Sequence, residues 1–146
     1  MKKIVLTLLV SLTILICLTG CDKKLDIGEE STVKAESKEI TLKVEESSIT
    51  KKGATFYLEN NRKVNITYTP NYEIEVKKDN KWYKINVVID FVDEIYDVDK
   101  NYREIMPIDW SETYGSLPKG EYRVVKEITV PSTLELFYVT GEFTIK

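Results

Sequence analysis

From Glu39 onward apolar residues recur at every second position, and no stretch of the chain beyond residue 38 sustains a 3.6-residue apolar repeat. That period puts successive side chains on opposite faces of an extended strand, so the chain is restricted to half-buried β-structure. Ile40, Leu42 and Val44 alternate with Thr41, Lys43 and Glu45; Ala54, Phe56 and Leu58 follow the turn Lys51-Lys52-Gly53. Asn60-Asn61 punctuates, and Val64, Ile66 and Tyr68 then alternate with polar residues as far as Pro70.

The clearest local pattern is a hairpin. Tyr72, Ile74 and Val76 alternate with Glu73, Glu75 and Lys77 before the turn Lys78-Asp79-Asn80-Lys81 and the run Trp82-Tyr83-Lys84-Ile85. Folding about Asp79-Asn80 sets Val76 opposite Tyr83 and Ile74 opposite Ile85, and Glu75 opposite Lys84 as a cross-strand charge pair. The like charges Lys78 and Lys81 also come opposite, which leaves a four-residue loop of the same parity as the alternative. Trp82 falls on the Glu75/Lys84 face, away from the core.

Val87-Val88-Ile89 reads as buried, and Asp90, Asp93, Glu94, Asp97 and Asp99 then punctuate the chain as far as Lys100. Tyr102 to Ile108 reads as a strand that Pro107 confines to a sheet edge or a strand end. Tyr122, Val124 and Ile128 share one face of a late strand, whose Arg123 is expected to face solvent. Leu134 to Ile145 closes the domain with Phe137, Val139, Phe143 and Ile145 in phase. About seven or eight short strands bounded by turns argue for an all-β sandwich over residues 39–146.

The first 38 residues are of another kind. Lys2 and Lys3 precede the uncharged run Ile4–Leu18, and Leu18, Thr19 and Gly20 lead directly into Cys21. A positive n-region, an apolar core and small residues at the cut make a secretory signal, and a run this short does not reach the ~20 residues of a spanning helix. The cysteine at the cut makes it a lipobox. The expectation is export, diacylglycerol on the Cys21 sulfur with palmitate as the label to look for, cleavage after residue 20, and anchorage to the outer face of the cell membrane. Residues 21–38 are polar and read as the lipidated cysteine plus a flexible tether.

This processing leaves 126 residues and, with two lysines gone, moves the net charge from −3 to −5. Mild acidity argues against nucleic acid as the partner. Cys17 leaves with the signal and Cys21 is acylated, so burial and backbone pairing hold the fold without a disulfide. The chain has no histidine, which removes the commonest general base and zinc ligand. With no free thiol and no nucleophile motif, the reading is non-enzymatic, with no cofactor and no metal; a small hydrolase is the remote alternative. The acidic residues between Asp90 and Asp99 lack the spacing of a calcium loop and read as a solvated connection.

The stretch Trp110-Ser-Glu-Thr-Tyr114-Gly115-Ser-Leu117-Pro118-Lys-Gly120-Glu-Tyr122-Arg123 is the most distinctive. Gly120 two residues before a strand-opening tyrosine resembles the tyrosine corner of Greek-key sandwiches, and Val124 stands where an antibody domain has its second cysteine. Through Gly53-Ala-Thr55, Tyr72-Glu-Ile74-Glu, Lys81-Trp82-Tyr83, Ile108-Asp-Trp110, Tyr114-Gly115-Ser-Leu117, Gly120-Glu-Tyr122-Arg123 and Glu142-Phe143-Thr-Ile145, the chain resembles a bacterial immunoglobulin-like domain family. That family occurs in lipoproteins and membrane-anchored proteins of Gram-positive Firmicutes. The resemblance covers Ile40 to Lys146 and implies an Ig-like β-sandwich with no catalytic residues to carry over. The expected role is a surface module that contacts another surface protein. The alternative is a carbohydrate- or peptidoglycan-binding module that uses Trp82 and neighbouring tyrosines.

Overall fold

The computed structural model describes residues 24–146; Leu18, Thr19, Gly20 and Cys21 lie outside them. Ten strands form: β1 (Ile27–Glu30), β2 (Ile40–Val44), β3 (Gly53–Asn60), β4 (Ile66–Tyr68), β5 (Glu73–Lys78), β6 (Lys81–Ile85), β7 (Tyr96–Val98), β8 (Tyr102–Asp109), β9 (Gly120–Val130) and β10 (Glu135–Ile145). They make two sheets, β2-β3-β8 and a larger one ordered β1-β6-β5-β9-β4-β7 with β10 on β9. The described residues contain no α-helix. The Ig-like sandwich read from the sequence is the fold.

Alternation decides the core. Tyr122, Val124, Ile128 and Val130 of β9 and Phe137, Val139, Phe143 and Ile145 of β10 face Ile40, Leu42, Phe56 and Leu58 across the sheets, all nearly inaccessible to solvent. Phe143 is the hub, 5.1 Å from Trp110, 5.5 Å from Tyr122 and 5.9 Å edge-on from Phe56. Where an antibody domain carries a disulfide, this cluster and the buried Val124 supply the contact between sheets.

The hairpin register holds: Val76 pairs with Tyr83, Glu75 with Lys84, and Lys78 with Lys81. Asp79 and Asn80 take positive φ of 49° and 61°, the two-residue turn whose twist suits a hairpin. No longer loop is needed, because Lys81 is neutralised from outside the hairpin by Glu30 at 2.8 Å. The expected Glu75–Lys84 ion pair gives way to separate partners: Lys84 takes Glu29 at 2.8 Å, and Glu75 takes Arg123. Burial decides that choice, since a carboxylate with no solvent access needs the cation nearest to it in the same buried layer.

The tether expected over residues 21–38 is corrected in its described part. Strand β1 lies inside it and pairs with β6, and Ser31 N–H donates to the Trp82 carbonyl at 2.8 Å. The segment then crosses the outer face of the larger sheet as a strap, with Glu36 N–H on the Tyr138 carbonyl at 3.4 Å. Its composition hid this strand: Ile27 packs against the core, but Gly28, Glu29 and Glu30 leave no alternation to read. Val88 is the second correction: it is 89 % exposed, since the chain leaves β6 at Asn86 and does not return to a sheet until β7. Pro107 sits in β8, an edge strand of the smaller sheet.

Candidate functional site: the outer face and the cleft beside strand β8

Arg123 and Glu75 stand opposite each other on β9 and β5, on the face turned away from the sandwich core. Arg123 was expected in solvent; its side chain is 7 % exposed and that of Glu75 is 0 %. The strap covers them. Arg123 Nε and Nη2 both reach Glu75 Oε2 at 2.6 Å. Ser31 Oγ donates to Glu75 Oε1 at 2.5 Å, and Arg123 Nη2 reaches the Val33 carbonyl at 3.2 Å. These four contacts satisfy two buried charges, and the cluster fastens the strap to the sheet.

Trp82 belongs to this arrangement. Its ring lies 4.7 Å from the Arg123 guanidinium and 5.5 Å from Lys77 Nζ, and the residue is half-buried. Cation–π contact thus engages the ring that the sequence offered as an open stacking platform.

The Trp110–Tyr122 stretch is a structural clamp. Trp110 is fully buried and its indole N–H donates to the Lys51 carbonyl at 2.9 Å. The Leu117 N–H donates to that same carbonyl at 2.9 Å. Tyr114 accepts from the Ile74 N–H at 2.9 Å. Gly115 adopts φ +73°, a conformation that a Cβ opposes. Tyr122 donates to the Pro118 carbonyl at 2.8 Å, and at Gly120 an added Cβ would stand 3.2 Å from the Tyr122 ring. Burial pushes the Tyr114 and Tyr122 phenols up to about 12. Tyr122→Phe is expected to lower stability by about 1–2 kcal/mol, the cost of a half-unmade buried hydrogen bond. An unchanged urea midpoint would contradict this.

Lys126 is the residue that reasoning from sequence passed over. It lies in phase with Tyr122, Val124 and Ile128, and so points into the core face, where it is 1 % exposed. Strands β5 and β4 share one edge of β9 in succession, broken between them around Pro70. Lys126 Nζ closes that break by donating to the Thr69 carbonyl and, at 2.8 Å, to the Asn71 carbonyl. Burial depresses its pKa to about 8. Between about pH 8 and 10 the unfolded chain therefore holds a proton that the folded one releases, and stability rises with pH by up to about 1.4 kcal/mol per unit. Above pH 10 the buried tyrosines oppose the trend, because only the unfolded phenols ionise. Lys126→Met is expected to abolish the rise, read as urea midpoints across that window.

Beside Lys126 opens a cleft of about 310 Å³ between the sheets, lined by Tyr68, Tyr72, Tyr96, Ile105 and Pro107. Tyr68 and Tyr96 stack at 5.5 Å. Edge strand β8 forms one wall and exposes Ile105 (61 %) and Tyr102 (56 %). Among the described residues no cluster of three acidic or thiol side chains is arranged to hold a metal ion, the Asp90–Asp99 segment included.

A bacterial Ig-like domain family model matches residues 36–144. The chain belongs to the bacterial Ig-like domain family. Comparisons with curated proteins and with solved structures returned no match. Bacterial Ig-like domains are in general non-enzymatic. Within this Ig-like domain, Trp110, Tyr114, Gly115, Gly120 and Tyr122 are brought together as a clamp around one end of the sandwich, whereas Trp82 is held apart on the outer face with Arg123.

Proposed function

We propose that this Ig-like domain is anchored by lipid on Cys21 to the outer leaflet of a Gram-positive cell membrane and mediates protein–protein contact at the envelope. The lipobox Leu18-Thr19-Gly20-Cys21 supports the anchor. The observation that carries the contact is the edge of β8, unpaired among the described residues, with Ile105 and Tyr102 exposed beside a tyrosine-lined cleft. A sheet edge accepts an added strand through its backbone, and flanking pockets select side chains. Pro107 lacks an N–H and limits such pairing to one end of the strand.

A photo-crosslinking amino acid at Ile105, introduced in growing bacteria, is expected to yield a discrete protein adduct that the same probe at Leu134 does not. No adduct at Ile105, or the same adducts at both positions, would remove the edge reading. Palmitate labelling that disappears in Cys21→Ser tests the anchor separately.

Carbohydrate binding is the second reading, and the stacked Tyr68–Tyr96 pair favours it. Its platform would be the cleft rather than Trp82, whose ring is engaged by Arg123. Tyrosine fluorescence of the chain titrated with cell-wall glycans separates the two: saturation abolished by Tyr96→Ala supports sugar, and no change removes it.

A further inference from the structure

The loop between β6 and β7 exposes four apolar side chains in eight residues: Val88 (89 %), Phe91 (77 %), Val92 (45 %) and Ile95 (68 %). It is held in place rather than loose. Asn71 grips the Val92 backbone from both sides, donating from Nδ2 to its carbonyl and accepting from its N–H, each at 2.9 Å. A pinned loop that turns Phe91 outward leaves apolar surface in water for which the fold has no use.

The root of this loop is also where the chain departs toward Cys21. Asn86, the first residue after β6, donates its N–H to the Asp26 carbonyl at 2.8 Å, and its side-chain amide reaches Asp26 Oδ1 at 3.2 Å. Five residue steps separate Cys21 from Asp26, so the lipidated sulfur is within ~18 Å of that point even with the chain fully extended. Val88 is two residues from Asn86, hence within ~7 Å of it along the chain. The segment that leads to Cys21 and the start of the apolar loop both leave from the Asp26–Asn86 contact.

We propose that the loop from Val87 to Ile95 is a membrane-contacting element, with Val88, Phe91 and Ile95 entering the headgroup boundary of the bilayer that holds the anchor. This rests on the lipid-anchored reading of Cys21. Aromatic and aliphatic side chains at the interface add to an acyl anchor and fix which way the domain faces. Asp90, Asp93 and Glu94 interleave with them, so insertion is shallow, and anionic headgroups oppose it at low salt.

The test uses the mature lipidated protein, cleaved after residue 20, carrying Val88→Cys, whose thiol is the one free thiol once Cys17 has left with the signal and Cys21 is acylated. Labelled with an environment-sensitive dye and bound to phosphatidylcholine vesicles, it is expected to shift to the blue and to be quenched by nitroxide-labelled lipid. The same dye at Leu134→Cys, 83 % exposed at the β9–β10 turn, is expected to stay unshifted. Phe91→Ser with Ile95→Ser should remove most of the Val88 shift, and phosphatidylglycerol vesicles at low salt should weaken it. Equal dye behaviour at Val88 and Leu134 on protein that floats with the vesicles overturns the proposal and leaves the anchor standing. Protein that floats no better than Cys21→Ser overturns both. A shift that grows with protein concentration without lipid assigns the loop to a second copy, and one that needs another protein assigns it to a protein partner; either result overturns membrane contact.

Discussion

Arg123→Ala is expected to destabilise the domain by about 3–5 kcal/mol, the range for removing one member of a buried ion pair. The size reflects the group left behind. Glu75 is 0 % exposed, and its remaining partner would be the Ser31 hydroxyl at 2.5 Å, which cannot offset a buried charge. The strap loses the bond from Arg123 to the Val33 carbonyl, and Trp82 loses the guanidinium against its ring. Proteolysis between Ser31 and Ser37 should therefore accelerate along with the fall in urea midpoint. Glu75→Leu with Arg123→Met removes both charges and fills similar volume, so it is expected to recover most of the loss. A loss below about 1 kcal/mol for Arg123→Ala would mean that water reaches the pair and screens it as it screens a surface pair.

Trp110→Ala is expected to cost a similar amount, about 3–5 kcal/mol, for a different reason. The indole is the largest fully buried side chain and stacks on Phe143 at 5.1 Å. Its removal opens a cavity at the aromatic hub that joins the two sheets, and no disulfide among the described residues limits the damage. Trp110→Phe separates packing from hydrogen bonding. It keeps a ring against Phe143 but withdraws the donor from the Lys51 carbonyl, which still receives the Leu117 N–H. The expected loss is about 1–2 kcal/mol, mostly from reduced volume. Equal midpoints for Trp110→Ala and Trp110→Phe would show that ring packing contributes little.

Much of the sandwich is legible in the sequence because one face of each strand must be apolar and the other wet. Ile74, Val76, Tyr83 and Ile85 set the hairpin register, and a slip of one residue would have left the apolar pair of one strand facing solvent. Pro107 marks an edge strand, since it cannot donate to a ladder. The same rule misreads Arg123 and Glu75, which occupy polar positions of an outer face in the ordinary way. They become buried only because a segment some 90 residues away in sequence from Arg123 lies across them. Lys126 defeats the rule from the other side. It is charged yet in core phase, and two carbonyls released by the break at Pro70 are what make a buried ammonium tolerable there.

The candidate surfaces were less legible than the core. Val87-Val88-Ile89 has the composition of a buried strand, but the segment joins no sheet: Val87 packs partly against the core, Ile89 is half-buried and Val88 is left in water. Composition reports what a segment could bury, while coverage depends on which other segments pack against it. The cleft beside β8 similarly draws Tyr68, Tyr72 and Tyr96 from three separate strands or their ends, a meeting that no local pattern encodes.

The sequence by itself determined the alternation of faces, the hairpin turn at Asp79-Asn80, the clamp residues from Trp110 to Tyr122, and the family to which they belong. The alternation, the turn and the Tyr122–Pro118 bond depend on contacts within a strand or between neighbours in the chain, where period and turn chemistry suffice; the clamp's bonds to Lys51 and Ile74 close only in the folded domain. Tertiary structure alone decided that the N-terminal segment would strap the outer sheet, that Arg123 would find Glu75, and that Phe91 would be left in water. Those outcomes turn on long-range coverage, and a residue's burial is a property of everything packed around it rather than of its own side chain.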